Sequence, residues 1–570
     1  MRSRMWYRRL ALVWWCALGM AAARAAAGQG SPPATAADGG TAAILRATLD
    51  AGRHPDMRWG RLSDFAGDAR RLYDSTGWTT LWSRDGVPTA QARAVARVLA
   101  DAGARGLRPD DYDATYLVAR AADVADGGGP TLVTTRDRAL YDVALTVSAM
   151  RFLWALHFGR IRPTDAHAAL RIQRQPYDVA AAVLALARDA TPERRVDEEE
   201  PRYLHYWLLR AALQRYRALG GDSSLRALRL TTTLRPGGQD AAVPRLRRLL
   251  LALGDLPPAD SASGDSTRYD SALVAGVRRF QRRHGQRADG VVGPDTRARL
   301  GRPFDDRVRQ IELTLERWRW LPRTFPVPPI VVNIPAFRLY AFNEKGDRES
   351  EILAMDVVVG RAYDRATPVF SGTMQYVVFA PYWDVPPSIA RDELLPRARR
   401  DHGYLARLRM EVVRGGGDDA VVLPVTSQTL SQVEGGSARI RQRPGPWNSL
   451  GGVKFILPNA FNVYLHDTPS RSLFGETRRD FSHGCIRVAE PERLALHVLR
   501  DRPEWTGERI DSAMARARPL RVDLATPIPV LIVYGTAVAR ESDGVYFYDD
   551  IYGHDRALER LLAGGYPYRR

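Results

Sequence analysis

The sequence predicts a multidomain α+β chain: a helical N-terminal scaffold, a small three-helix module and a mainly β C-terminal domain carrying an insertion. Three observations predict it. At 570 residues the chain exceeds what one hydrophobic core ordinarily serves. Up to about Leu230 its apolar residues recur at three- and four-residue spacing, the period of an amphipathic helix. After Arg323 the texture changes to short runs of branched and aromatic residues, the pattern of strands.

The first 27 residues read as a signal peptide. Arg2, Arg4, Arg8 and Arg9 form a basic start, Leu10 to Ala23 an apolar stretch, and the small-residue run AAARAAAG a cleavage region after Ala25 or Ala27. The stretch is shorter than the ~20 residues of a spanning helix; an uncleaved anchor is the weaker reading and leaves the remainder in the same compartment. Cys16 stands among tryptophans, where lipid attachment wants small residues. Residues 28–40, rich in Gly, Pro and Ser, read as a linker. Residues 41–237 form the scaffold, with helical stripes at Ala90 to Ala100 and Ala139 to Phe158; the acidic run Asp197 to Glu200 reads as a solvated loop.

Residues 238–302 form the small module. Leu246, Leu249, Leu250 and Leu253 make one stripe, Asp270 and Ser271 offer N-cap chemistry to a second helix with Leu273, Val277 and Phe280 on one face, and Pro294 opens a third. Residues 325–555 form the β domain, with strand runs at Ile330–Asn333 and Ile352–Val359 among others, and Asp543-Gly544 marking a hairpin. An interruption at about 388–442 is either a cap over a site or a surface excursion.

Composition narrows the chemistry. Lys+Arg number 83 against 65 Asp+Glu, a formal net charge of +18, and only Lys345 and Lys454 are lysines. An arginine-rich solvated surface and attraction to a polyanion both fit; no motif supports nucleic-acid binding. Beyond the first segment the one cysteine is Cys485, so the chain can form no disulfide within itself.

The densest reactive cluster is YLHDTPSRSLFGETRRDFSHGCIRV, Tyr464 to Val488. Gly484 permits a tight turn that exposes the following sulfur and gathers backbone N–H groups into an oxyanion hole. A thiol of ordinary pKa needs a base or a cation beside it; His466 ends a strand-like run upstream, and Arg487 adds positive potential. His483 is nearer in sequence, but residues so close often point apart. Zinc held by His466, His483 and Cys485 is the competing reading, disfavoured without HExxH or a second cysteine, since a metal-held thiolate loses its nucleophilic role.

HDTP followed by SHGCIRV resembles the L,D-transpeptidase motif, and the strings NIPAFRLYAF, PYWDVPPSI, RQRPGPWNSLGGVKFILPN and GTAVARESDGVYFYDDIYG extend the resemblance to the large Gram-negative branch of that family. YDSALVAGVRRFQRRHGQRADGVVGPDTRARL resembles its three-helix peptidoglycan-binding domain. The resemblance implies a mainly β catalytic domain with a capping insertion, Cys485 as nucleophile and His466 as general base. It implies oxyanion or supporting roles for Ser482, His483, Gly484 and Arg487, and leaves Tyr464, Asp467 and Asn448 as candidates for the substrate pocket. No cofactor and no metal are expected. The implied reaction is acyl transfer from a tetrapeptide stem, releasing D-alanine, through a Cys485 thioester to the side-chain amine of a second stem, giving a 3→3 cross-link in the periplasm. The expected partners are donor and acceptor peptidoglycan stems; contacts with the membrane or with wall-synthesis proteins stay open. An L,D-carboxypeptidase or cross-link hydrolase using the same nucleophile, and a non-catalytic wall-binding scaffold, are the alternatives.

Overall fold

The computed structural model describes residues 39–122, 132–225, 232–258, 267–343, 348–362 and 365–568. The expected signal segment and nearly all of the expected linker lie outside the described residues. The helical part opens at Gly39–Asp50, just inside the stretch read as linker. Its central helix, Thr135–Phe158, starts at a capping box in which the Asp137 amide donates to Thr134 Oγ1 and the Thr134 amide to the Asp137 carboxylate. That helix is long and apolar enough to cross a membrane, yet it is almost wholly buried by its neighbours, the condition of a core helix apolar on every side.

One expectation here is overturned. The acidic run does not end in a solvated loop: the Glu200 side chain is fully buried, accepting from Arg105 Nε at 2.9 Å, from Arg210 Nη1 at 2.6 Å and from the Tyr206 hydroxyl. A buried cation needs a counter-charge, and Glu200 supplies it to Arg105.

The small module has helices Val243–Leu253, Ser271–Arg283 and Pro294–Leu300 around one core. Asp270 caps the second, its carboxylate accepting from the Leu273 amide at 2.9 Å. Helix Phe304–Trp318 then leads into the β domain and packs on helix Leu204–Gly221.

The β domain is a nine-stranded sheet closed on itself. In chain order its first strands are β1 (Ile330–Asn333), β2 (Arg338–Ala341), β3 (Leu353–Gly360) and β4 (Phe370–Phe379). An inserted unit follows, with β5 (Trp383–Asp384), β6 (Met410–Arg414), β7 (Val421–Leu423) and β8 (Arg439–Gln442). Then come β9 (Val453–Ile456), β10 (Leu465–His466), β11 (Asp480–Ser482), β12 (Ile486–Val488) and β13 (Leu520–Val533). The order is β11-β3-β12-β10-β9-β4-β13-β1-β2, and β2 pairs back onto β3 to make a barrel-like ring. The inserted unit is a separate antiparallel sheet, β5-β8-β6-β7, with its own core of Ile389, Leu394, Leu405, Val412, Leu430 and Ile440. It opens at Trp383, ahead of the expected 388. The hairpin expected at Asp543-Gly544 joins strands Ala537–Arg540 and Gly544–Phe547.

Candidate active site

Strand register assembles the site. β10 runs parallel to β12 with Leu465 opposite Ile486 and His466 opposite Arg487; on its other side it runs antiparallel to β9, with Lys454 opposite His466 and Phe455 opposite Leu465. Side chains alternate along a strand, so paired residues share a face. Leu465, Ile486 and Phe455 fill the barrel core, each with no exposed surface. The opposite face therefore carries Lys454, His466 and Arg487 in a row, with Tyr464 and Cys485 one alternation earlier on their strands.

His466 is buried, and its Nδ1 donates to the main-chain oxygen of Asp467 at 2.5 Å. A carbonyl only accepts, so the proton is on Nδ1 and Nε2 is left as the lone-pair nitrogen, the tautomer a base needs. Burial lowers its pKa to about 3, and the positive charges of Arg487 and Lys454 push the same way. The ring is thus neutral throughout the neutral range. Tyr464 meets it edge-on, with ring centroids 5.8 Å apart.

Cys485 follows a turn that only glycine makes without strain: Gly484 has φ +116°. Ser482 Oγ closes the turn, donating to the Cys485 carbonyl at 2.5 Å and accepting from the Gly484 amide at 3.1 Å. Thr367 Oγ1 donates to the Gly484 carbonyl at 2.8 Å and accepts from the Gly360 amide, which ties the turn to β3. Because the Gly484 amide is taken, it is not free to meet an oxyanion. The thiol donates to the Asn462 carbonyl at 3.7 Å, and among the described residues no hydrogen bond joins it to His466. Burial raises the Cys485 pKa; hydrogen bonds from the Tyr464 amide and hydroxyl and the charge of Arg487 oppose this without overcoming it. The resting pair is therefore neutral thiol and neutral imidazole.

The other expected positions separate by surroundings. His483 turns away from the sulfur, its Nε2 2.8 Å from the Glu393 carboxylate of the inserted unit, which also pairs with Arg365 at 3.0 Å. The Asp467 carboxylate does not face the imidazole; it accepts from the Gly452 amide at 2.8 Å and the Thr468 amide at 2.6 Å and pairs with Arg471 at 2.8 Å. Asn448 has no exposed surface and does not line a pocket: its amide donates to the Pro381 and Arg443 carbonyls, at 3.0 and 2.9 Å, and its oxygen accepts from the Leu450 amide. Lys454 and Glu393 lie on the site and escaped the sequence reading. Alternation about Lys454 in VKFI was the available signal for the first; nothing local marked the second.

Three stretches of the chain match models of known protein families. Residues 329–529 match the model of the L,D-transpeptidase catalytic domain, residues 67–213 that of a scaffold domain, and residues 239–300 that described as "Putative peptidoglycan binding domain". A Haemophilus influenzae protein described as "Putative L,D-transpeptidase" is 33% identical over 229 residues, 40% of this chain and 45% of that protein. The chain thus spans somewhat less than half the length of that relative. The chain thus resembles the L,D-transpeptidase family over a segment similar to its catalytic domain, joined to segments similar to a scaffold domain and to a peptidoglycan-binding domain.

Proposed function

We propose that the protein is a periplasmic L,D-transpeptidase that forms 3→3 cross-links between peptidoglycan stems. The carrying observation is one sheet face that carries a half-buried thiol and, on the neighbouring strand, a neutral imidazole with its Nε2 lone pair free. In this reading Cys485 gives its proton to His466 as the sulfur attacks the carbonyl before the terminal D-alanine of a tetrapeptide stem. The protonated imidazole then delivers that proton to the departing amine, leaving a thioester. The side-chain amine of a second stem attacks the thioester, His466 takes its proton, and the thiol is restored. Deprotonation concurrent with attack suits a resting pair that is neutral on both sides. The Cys485 amide, which has no acceptor among the described residues, is the donor best placed for the developing oxyanion. The scaffold and small module support a wall-bound substrate.

The test is incubation of the full chain and its Cys485→Ala form with disaccharide-tetrapeptides, followed by mass spectrometry. Cysteine-dependent dimers lacking one D-alanine are expected. Tripeptide alone would replace this reading with hydrolysis, and no cysteine-dependent product from folded protein would overturn both.

A further inference from the structure

Two cations on the site face, Lys454 and Arg487, stand without an ion-pair partner among the described residues, and Arg487 Nε is buried without an acceptor. Three buried arginines elsewhere are paired, Arg105 with Glu200, Arg160 with Glu316 and Arg283 with Asp255, whereas buried Arg307 rests on Gln310 and the Phe547 ring. Asp384 of the inserted unit is near enough to act on Lys454 through space, but its carboxylate is engaged by Arg439 at 2.7 Å. Asp418 also acts on Lys454 only through space. His466, between the two cations, is neutral.

Lys454 and Arg487 flank His466 from the two neighbouring strands, so their Cα atoms stand about 10 Å apart across two strand spacings. Both charges act on the imidazole through space, and Arg487 is about 7 Å along its strand from Cys485. A half-buried, unpaired pair of cations is costly in the empty protein and is relieved by an anion.

We propose that Lys454, with Arg487, binds a carboxylate of the peptide stem and so helps determine which stems the site accepts. The inference rests on the reading of the site as one that acts on stem peptides. A tetrapeptide stem offers two such groups near the reacting carbonyl: the free C-terminus of the departing residue, one residue past the bond, and the carboxylate at the side-chain end of the diamino acid. Their chemistry is shared, and amidation tells them apart. Lys454 is a positioning residue here and takes no part in proton transfer.

The test uses the full chain with Cys485→Ala, so that binding is read without turnover, and calorimetric titration with four synthetic tetrapeptides: free, C-terminally amidated, side-chain amidated and doubly amidated. Lys454→Met is expected to weaken the free stem about 10- to 100-fold, the range for losing a charged hydrogen bond. Amidating one of the two carboxylates should weaken binding to the parent similarly and abolish the further effect of Lys454→Met, which identifies the group read. Lys454→Arg should retain affinity within a few fold, and Lys454→Met should melt no lower than the parent. Equal binding by Lys454→Met, or an equal loss for all four stems, would overturn the proposal. Carboxylate-dependent binding without Cys485-dependent turnover in the parent sequence would sink the transpeptidase reading alone. Turnover whose KM ignores Lys454→Met would sink this one alone, and no binding of any stem would overturn both.

Discussion

At Cys485, burial and positive charge act in opposite directions, and burial dominates. Arg487 stands where the sequence reading wanted a thiolate-stabilising cation, but it is itself half-buried and weakened by its own desolvation. Since the thiol pKa is displaced upward from 9.0, alkylation by iodoacetamide should still be accelerating above pH 9, and Arg487→Gln should move the profile further to alkaline pH. A plateau by pH 7 would show a preformed thiolate instead. Much at this scale was legible beforehand: Gly484 before Cys485 announces a turn needing positive φ, and His466 at a strand end announces a partner from a neighbouring strand. What was not legible was direction. Asp467, a candidate for the pocket, holds the ring through its main-chain oxygen, while its carboxylate is drawn to the Gly452 and Thr468 amides and Arg471.

Among the elements, strand type was easier to read than strand register. The alternation in Leu465-His466 and Ile486-Arg487 separates core from site face on each strand alone, but nothing local says that the two strands lie side by side and parallel. Lys454 joins the site only through that register, and Glu393 only through the docking of the inserted unit. Asn448 stayed a candidate for a related reason: a polar residue near this strand can line a pocket or pack, and its three backbone partners show that it packs. The Glu393 contacts with His483 and Arg365 fasten the unit's helical segment to the catalytic turn. These are half-exposed pairs, worth ~1 kcal/mol or less each, so Glu393→Ala should leave the melting temperature nearly unchanged. Amide hydrogen exchange across residues 387–400 should nevertheless quicken; unchanged exchange there would mean that the unit is held by its other contacts.

Over the whole molecule, seven of the ten histidines have pKa values below the ordinary range through burial. His497 is held to about 4, His466 to about 3 and His167 to about 2. Each binds in the unfolded chain a proton that the folded chain refuses, so its contribution is complete above pH 6.5 and declines as pH falls toward the folded value. The slope approaches about 1.4 kcal/mol per pH unit for each fully buried histidine. Asp142, raised to about 6 by burial, opposes this: it favours the folded chain in acid, and that advantage fades as pH rises through 6. The histidines outnumber it, so the melting temperature should drop steadily from pH 7 to pH 5, before ordinary carboxylates titrate. A flat or rising profile would contradict the buried, neutral assignment.

The inserted unit enters through β5 and leaves through β8, and those strands are paired, Asp384 with Arg441 and Trp383 with Gln442. A segment whose two ends meet imposes almost no geometry on its host. It can lengthen, shorten or be exchanged while β9, β10 and β12 keep their places beneath it. The architecture thus divides inheritance in two: a barrel face whose register keeps His466 and Arg487 side by side, and a roof free to diversify over it.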